Sequence, residues 1–384
     1  MSAHVSKAYK VFGILTIVFS TLLIPTMVLT LLALFAIMQE PDFTNLVTSQ
    51  TTGLIIALLV CALVLLVQSF VLGVRLILDK RRRAATQLNA MIAVNTLLMV
   101  LFMMVFGFDR LLIVPFASLV FMVVMSSALD PALREERQLQ RHLQALEDRS
   151  DAEEGTLGRD KSGKGYITLN FFNMFWIFVV ACVLGDLIET VYVYCVSGGV
   201  IMNRTGMLWG PFSPIYGFGA VLMTTALNRF KDKNILLIFA ICTVIGGCFE
   251  YFVSWFMEIG FGATAWDYHD QWLGWLFDGR TCPLYAAMFG VLGVAWIKFM
   301  LPGLLKLINL IPWNRRLIIT SICAVLMVVN CVMTLQAWDN WFSRVSGHEP
   351  VSSIEQFYAD NFPNDYMQER FENIDITPDK SARE

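Results

Sequence analysis

Nine apolar stretches, each long enough to cross a lipid bilayer, dominate the sequence. The ~30 Å hydrocarbon core of a bilayer takes about 20 helical residues at ~1.5 Å rise per residue. The stretches therefore predict an all-α fold, namely a polytopic membrane protein with about nine transmembrane helices. The third and fourth are separated only by residues 107–110, so we expect them to form a helical hairpin. The predicted spans are Val11–Met38, Gly53–Leu78, Ala90–Phe108, Leu111–Leu129, Phe171–Cys195, Pro211–Leu227, Asn234–Met257, Pro283–Phe299 and Leu317–Leu335.

The composition excludes several other classes of protein. Hydrophobic residues make up 57% of the 384 residues and charged residues only 15%, whereas an ordinary soluble domain has roughly 25% charged residues. A disordered chain and a typical soluble enzyme are therefore excluded. The net charge of −3 gives no sign of the basic surface that binds nucleic acid. We predict the lipid bilayer as a partner and no nucleic acid.

Lys and Arg residues are distributed unevenly among the segments that join the predicted spans. With the N-terminus inside, 21 of the 28 fall on the inner side. Because inner loops of membrane proteins are enriched in Lys and Arg, this asymmetry predicts an N-terminus on the inner, cytoplasmic side of the cell membrane. An odd number of spans then places the C-terminal tail outside.

The alternation of apolar and charged stretches predicts four parts. Residues 1–129 form a four-helix membrane block, and residues 130–166 form a charged cytoplasmic linker. Residues 167–336 form a five-helix membrane block, and residues 337–384 form an acidic extracytoplasmic tail.

Signals for metals and cofactors are weak. The eight cysteines and four histidines lack metal-ligand spacing, so we predict no metal. Gly158–Lys164 has the spacing of a phosphate-binding loop, but Gly165 follows where that motif needs Ser or Thr. We therefore predict that the chain has no cofactor and binds no ATP. Cys195 and Cys282 both lie near predicted outer ends of spans, and either a disulfide or two free thiols fits that placement.

Ionisable residues within the second helical block are the strongest functional candidates, because charged groups inside a membrane are costly. Asp186 and Glu189 lie three residues apart and share one helix face. Glu250, on the seventh span, lies at a depth similar to that of Glu189, in the outer half. The nearby outer loops carry Arg204 and Arg280, so we expect the carboxylates and guanidinium groups to pair.

Prolines and aromatic residues surround these acids. Two prolines near the start of the sixth span predict an interrupted helix whose freed backbone groups line a cavity enclosed by protein. The long outer loop carries the sequence Trp-Asp-Tyr. Two interpretations remain open, a substrate or ion site and a cluster that only locks the helices together. The candidate residues are Asp186, Glu189, Arg204, Pro211, Pro214, Tyr216, Glu250, Ser254, Trp266, Asp267, Tyr268 and Arg280.

The second block and the tail carry five distinctive motifs. They are RTGMLWGPFSPIYG starting at Arg204, Glu250 with Trp255, Trp266-Asp267-Tyr268, Gly279-Arg280-Thr-Cys, and the tail stretch Phe357–Pro363 with Met367. These motifs resemble a known bacterial membrane family, the CmpB-like permeases of ABC-transporter type IV. The resemblance covers about residues 170–370, and the chain departs from it at Trp272–Phe277. It implies a transport permease, whose ATPase, if one exists, is a separate chain.

The sequence favours a transport component over an enzyme, because it contains no nucleotide-binding domain and no specific catalytic motif. One alternative is a membrane-embedded enzyme acting on a lipid-linked or cell-envelope substrate, with Glu189 and Glu250 as the acid–base pair and Arg204 or Arg280 binding phosphate. Another is a sensor or assembly factor. The substrate, a homo- or hetero-oligomeric state and the existence of an ATPase partner stay open at this point.

Overall fold

The structure is a computed structural model that describes residues 3–38, 49–78, 84–129, 150, 165–167, 169, 171–308, 310–311 and 315–383. Most of the predicted linker 130–166, with its stretch Gly158–Lys164, lies outside these ranges. The chain divides into two compact units, residues 1–141 with 382–384 and residues 142–381. The predicted four-part division is a different partition and stays a prediction.

The first unit consists of four long helices in which neighbours along the chain pack together. Its buried core is apolar and includes Leu72, Leu76, Leu88 and Met91. The predicted hairpin is confirmed, because the last two helices pack against each other across a short turn in which Gly107 is left-handed and Asp109 caps the next helical turn. The helices are α1 (Ala3–Met38), α2 (Ser49–Ile77), α3 (Ala84–Phe106) and α4 (Ile113–Leu129), the last preceded by a 3-10 turn at Arg110–Leu112.

The second unit contains five membrane-type helical segments and two short helices in the tail. The fifth and sixth helices pack as a pair, and so do the seventh and eighth. A π-helical turn, Trp296–Met300, joins two helices into one continuous rod. The helices are α5 (Phe171–Val196), α6 (Pro214–Leu227), α7 (Ile235–Phe261), α8 (Pro283–Ala295), α9 (Leu301–Ile308), α10 (Arg316–Val345), α11 (Ser353–Asn361) and α12 (Asn364–Arg370).

One end of the second unit, here called the basic end, closes over an apolar core. The core includes Ile177, Leu227, Ile297 and Leu301. The Asn228 side chain, just after α6, fastens the chain that enters α5 by hydrogen bonds of 2.9 Å to backbone groups of residues 166 and 167. The basic residues of the segments predicted to lie inside, such as 229–233 and 315–316, lie at this end.

The opposite end, here called the tail end, is covered by the C-terminal residues. The tail returns to the loop after α7, where β1 (Ala263–Thr264) pairs antiparallel with β2 (Asp375–Ile376). Trp338 and Trp341 of α10 pack with Phe371 of the tail in one buried cluster. Burial of these rings explains why α10 runs ten residues past the predicted end at Leu335.

The described residues contain six helices that are long and apolar enough to cross a membrane. Three shorter apolar helices, Lys10–Pro25, Arg110–Met122 and Pro214–Leu227, coincide with the other predicted spans. Many large apolar side chains along these helices face outward, as lipid contact requires. The predicted class of all-α, multi-pass membrane protein is confirmed, while the count of nine crossings and the orientation stay predictions.

Candidate functional site

A cavity of about 150 Å³ lies within the second unit, between α5, α6, α7 and α8. Its walls combine apolar side chains with a smaller polar group. The polar side chains come from five separate segments of the chain, and the first and last of them, Glu189 and Tyr268, are 79 residues apart in the sequence. The polar lining residues are Glu189, Arg204, Tyr216, Glu250, Trp266 and Tyr268, all of them predicted candidates.

Glu189 and Arg204 form the predicted ion pair. The Arg204 Nε donates to Glu189 Oε1 at 2.8 Å, and a second guanidinium nitrogen contacts the same oxygen. Tyr216 lines the same cavity as this pair. Because charge-assisted hydrogen bonds are among the strongest in proteins, this pair holds the loop after α5 against the cavity.

Glu250 is the most deeply buried carboxylate at the site, with 4% of its surface exposed. It accepts two hydrogen bonds from neutral groups, one from the Thr281 hydroxyl at 2.7 Å and one from the Tyr268 hydroxyl at 3.2 Å. Among the described residues no Lys, Arg or His forms an ion pair with it. Thr281 was not predicted from the sequence. The one signal that could have found it is its place between Arg280 and the proline that starts α8.

Tyr268 is held in place by its ring as well as by its hydroxyl. The ring stacks on Tyr285 of α8 with centroids 4.3 Å apart and planes 15° apart. Burial, and then the nearby Glu250 carboxylate, raise the pKa of Tyr268 above its ordinary value. The hydroxyl therefore keeps its proton at neutral pH and donates a hydrogen bond to Glu250.

Arg280 corrects one predicted pairing. Its guanidinium binds Glu258 and, at 3.3 Å, Asp278, rather than Glu250. Glu258 lies eight residues beyond Glu250 on α7, which places it ~12 Å closer to the tail end. The backbone carbonyl of Arg280 accepts a hydrogen bond of 3.0 Å from the Trp266 indole. Arg280 therefore stabilises the loop above the cavity and does not line the cavity.

The interrupted start of α6 also differs from the prediction. The helix begins at Pro214, and the chain before it is irregular, as expected. Several of its freed backbone groups bond to protein groups outside the cavity: the Ser213 N–H donates to the Cys182 carbonyl, and others bond to side chains. Both backbone groups of Trp209 bond to the Asn330 amide, and the Met207 and Gly210 carbonyls accept from Arg370. Irregular backbone at the edge of a membrane is tolerated when protein satisfies it in this way.

Four other candidates lie away from the cavity wall. Pro211 is exposed in the loop, and Ser254 is half-buried on α7. The Asp186 side chain is buried, and its Oδ1 has no hydrogen-bond partner among the described residues. Asp267 is largely exposed and bonds to His269. Partial burial raises the pKa of Asp267, but the His269 hydrogen bonds outweigh it and lower the pKa below its usual value.

Glycines let aromatic rings form the cavity wall. A Cβ atom added at Gly185 would lie 2.2 Å from Tyr216, so only glycine lets that ring approach α5. Gly219 is different, because a Cβ there would meet only Phe249, at an ordinary 3.7 Å. A Cβ atom can therefore be added at Gly219 without displacing the wall.

The two thiols that the sequence left open are both free. Cys195 is exposed at the end of α5, and Cys282 is buried just before α8. Among the described residues, no group of three or more His, Cys, Asp or Glu side chains is placed to hold a metal ion.

The fold and the site together define a multi-pass membrane protein with a charged cavity in its second unit. Residues 176–335 match the family described as Putative ABC-transporter type IV. This match confirms the predicted resemblance over that range, which contains all twelve candidate residues, and identifies the chain as a transport-associated membrane protein. No curated protein and no solved structure matches the chain.

Proposed function

We propose that the chain is a permease-like membrane subunit of a transport system and that the cavity of the second unit is its substrate site. One observation carries the proposal: six polar side chains from five segments line a single cavity within the family-matched residues. Concave sites with a few convergent polar groups in an apolar wall are typical of ligand binding.

The burial of Glu250 supports a site over a purely structural role. A buried charge without a counter-charge is costly, and intramembrane acids usually mark substrate or ion pathways. A carboxylate that only fastened helices together would be better served by a cation. At Glu250 the described partners are hydroxyl groups, which leave the charge available to a ligand.

The energy source is proposed to be an ATPase on a separate polypeptide. The sequence contains no nucleotide-binding domain, and the stretch Gly158–Lys164 lacks the Ser or Thr that binds magnesium. We therefore expect the isolated chain neither to bind nor to hydrolyse ATP.

The test is purification of the cross-linked full chain from its own membrane, followed by reconstitution with the ATPase that co-purifies. ATP turnover in proteoliposomes should depend on the chain. It should fall at least tenfold with Glu250→Gln and stay within twofold with Glu349→Gln, a matched change at an exposed site. ATP hydrolysis by the isolated chain, or equal turnover by the two variants, would contradict the proposal.

The enzyme alternative is less well supported, because Glu189 is committed to Arg204 and is not available as a free acid or base. Recovery of cell-envelope synthesis enzymes in place of an ATPase would favour that alternative.

A further inference from the structure

The cavity is polar at one end and apolar along the rest of its length. The polar groups lie toward the tail end, where the loops after α5 and α7 cover it. Toward the basic end the lining includes Leu184, Phe289, Leu292, Trp296 and Met300. Along α8 and the π-helical turn, the lining residues run from Phe289 to Met300, a length of ~16 Å. A ligand that fills this space has one polar group and an apolar body.

The charges on the wall specify the sign of that polar group. Glu189 and Arg204 neutralise each other. Glu250 is then the only other Asp, Glu, Lys, Arg or His among the described lining residues. With both carboxylates ionised, the wall carries one net negative charge, and a monovalent cation would balance it.

Aromatic rings favour an organic cation over a metal ion. Trp266, Tyr216 and Tyr268 line the same end of the cavity as Glu250, and aromatic faces attract ammonium groups. A hard metal ion would need about six oxygen ligands. Among the described residues, the oxygens hydrogen-bonded to Glu250 are the hydroxyls of Tyr268 and Thr281, which with its own carboxylate make four.

We propose that the cavity binds a monovalent organic cation, an ammonium group carried on an apolar body, with Glu250 as its counter-charge. This inference rests on the proposed function, since it names the class of compound handled at that site. The ammonium group lies against Glu250 and the aromatic rings, and the apolar body extends toward Trp296.

The test is isothermal titration calorimetry on the full chain in a non-ionic detergent, with hexyltrimethylammonium as the probe. Hexanoate has a similar body and the opposite charge, and tetramethylammonium has the charge without the body. Hexyltrimethylammonium should bind at least tenfold more tightly than either. Shortening the alkyl chain should weaken binding by about fourfold per methylene group, as expected for burial in an apolar wall.

Two variants locate the binding. Glu250→Gln keeps the side-chain volume and should weaken binding of hexyltrimethylammonium at least tenfold, while Glu349→Gln should leave it unchanged. Gly219 lines the cavity, and a Cβ atom there makes only an ordinary contact. We expect Gly219→Leu to extend its side chain into the cavity and abolish binding, with an unfolding temperature close to that of the unchanged chain as the check that it folds. The cavity-filling variant keeps the test valid even if Glu250→Gln folds poorly.

Hexanoate binding as tight as hexyltrimethylammonium, or full binding by Gly219→Leu, would overturn the inference. These outcomes are separate from those that test the proposed function. If the probe does not bind but Glu250→Gln still lowers ATP turnover, only the ligand class is wrong. If the probe binds but no ATPase partner is found, only the proposed transport role is wrong.

Discussion

Each unit holds a cavity between its helices, and the two cavities differ in the side chains that line them. The first unit has a cavity of about 320 Å³ whose described polar lining consists of Gln68, Thr86 and Gln87. The cavity of the second unit is lined by three charged side chains, Glu189, Arg204 and Glu250. The charges mark the candidate site, since a charge inside a membrane protein is retained only at a cost.

The way the helices approach one another is common to both units. In the first unit, a Cβ on Gly13 would lie 2.8 Å from the Gly73 carbonyl oxygen, so α1 and α2 meet through glycines. In the second, a Cβ on Gly246 would lie 2.4 Å from Phe289, and α7 meets α8 closely. Small residues at helix contacts are general in membrane proteins, so these glycines indicate packing and not a particular function.

The largest expected difference in stability is between an arginine in a loop of the second unit and an arginine in a turn of the first. Arg280→Ala removes the buried partner of Glu258 and Asp278, and breaking a buried ion pair costs about 3–5 kcal/mol. Arg110→Ala, in an exposed turn of the first unit, should cost at most about 0.5 kcal/mol. Denaturant unfolding in detergent measures both. Equal losses would show that the loop above the cavity is no more rigid than an ordinary turn.

A smaller difference is expected for two buried asparagines. Asn330→Ala leaves both backbone groups of Trp209 without their partner. Trp209 is 44% exposed, so water replaces part of what is lost, and we expect a total cost of about 1–3 kcal/mol. Asn95→Ala removes a single hydrogen bond to the Pro115 carbonyl, so its loss should be about half as large. Hydrogen exchange of residues 203–213 should rise only in the Asn330 variant. An unchanged exchange rate there would show that Asn330 does not hold the loop before α6.

Helix packing should respond alike in both units. Gly73→Ala and Gly290→Ala each bring a Cβ within 3.0 Å of a neighbour, Ile17 in the first case and Thr243 in the second. Such overpacking typically costs about 1–3 kcal/mol. Thermal unfolding of the two variants checks this. A loss confined to one unit would break the parallel between them.

The smallest expected effect concerns the tail. Ser352 and Glu355 form a reciprocal capping box at the start of α11, and Ser352→Ala should cost about 1 kcal/mol. Because α11 belongs to the second unit, exchange in α1–α4 should not change. Ser352→Thr, which retains the cap, is the matched control.

Apolar run length was enough to predict the helices of both units, because membrane thickness fixes the number of residues in a span. The tail could not be predicted in the same way. Its helices are only nine and seven residues long, and most of their residues are polar. Their folded position depends on single side chains, such as Met367 and Phe371, that fit among the tryptophans of α10.

The candidate site was predicted in part for a related reason. Counting residues from a helix end gives the depth of a side chain, and it predicted that Glu189 and Glu250 lie at similar depth; both line the cavity. The place of Arg204 in the next loop predicted a pairing with these acids, and Arg204 pairs with Glu189. Depth does not give the path of the long loop 262–282, and that path carries Arg280 to Glu258 and Thr281 to Glu250. Left-handed backbone at Leu273 and Asp278 fixes the path through local geometry that apolar patterning does not encode.

The hydrogen bonds from Asn330 and Arg370 to the loop before α6 also constrain the order in which the protein folds during synthesis. The Met207 and Gly210 carbonyls cannot accept their hydrogen bonds until Arg370 is synthesised, 163 and 160 residues later. At roughly 5–20 residues per second, synthesis of that interval takes about 8–30 s. Asn330 follows Trp209 by 121 residues, so for the first three quarters or so of this time the loop lacks both Asn330 and Arg370, and afterwards it lacks Arg370. Quality control of the nascent chain, and any factor that shields unpaired backbone at the membrane surface, would act on this segment before the final residues emerge.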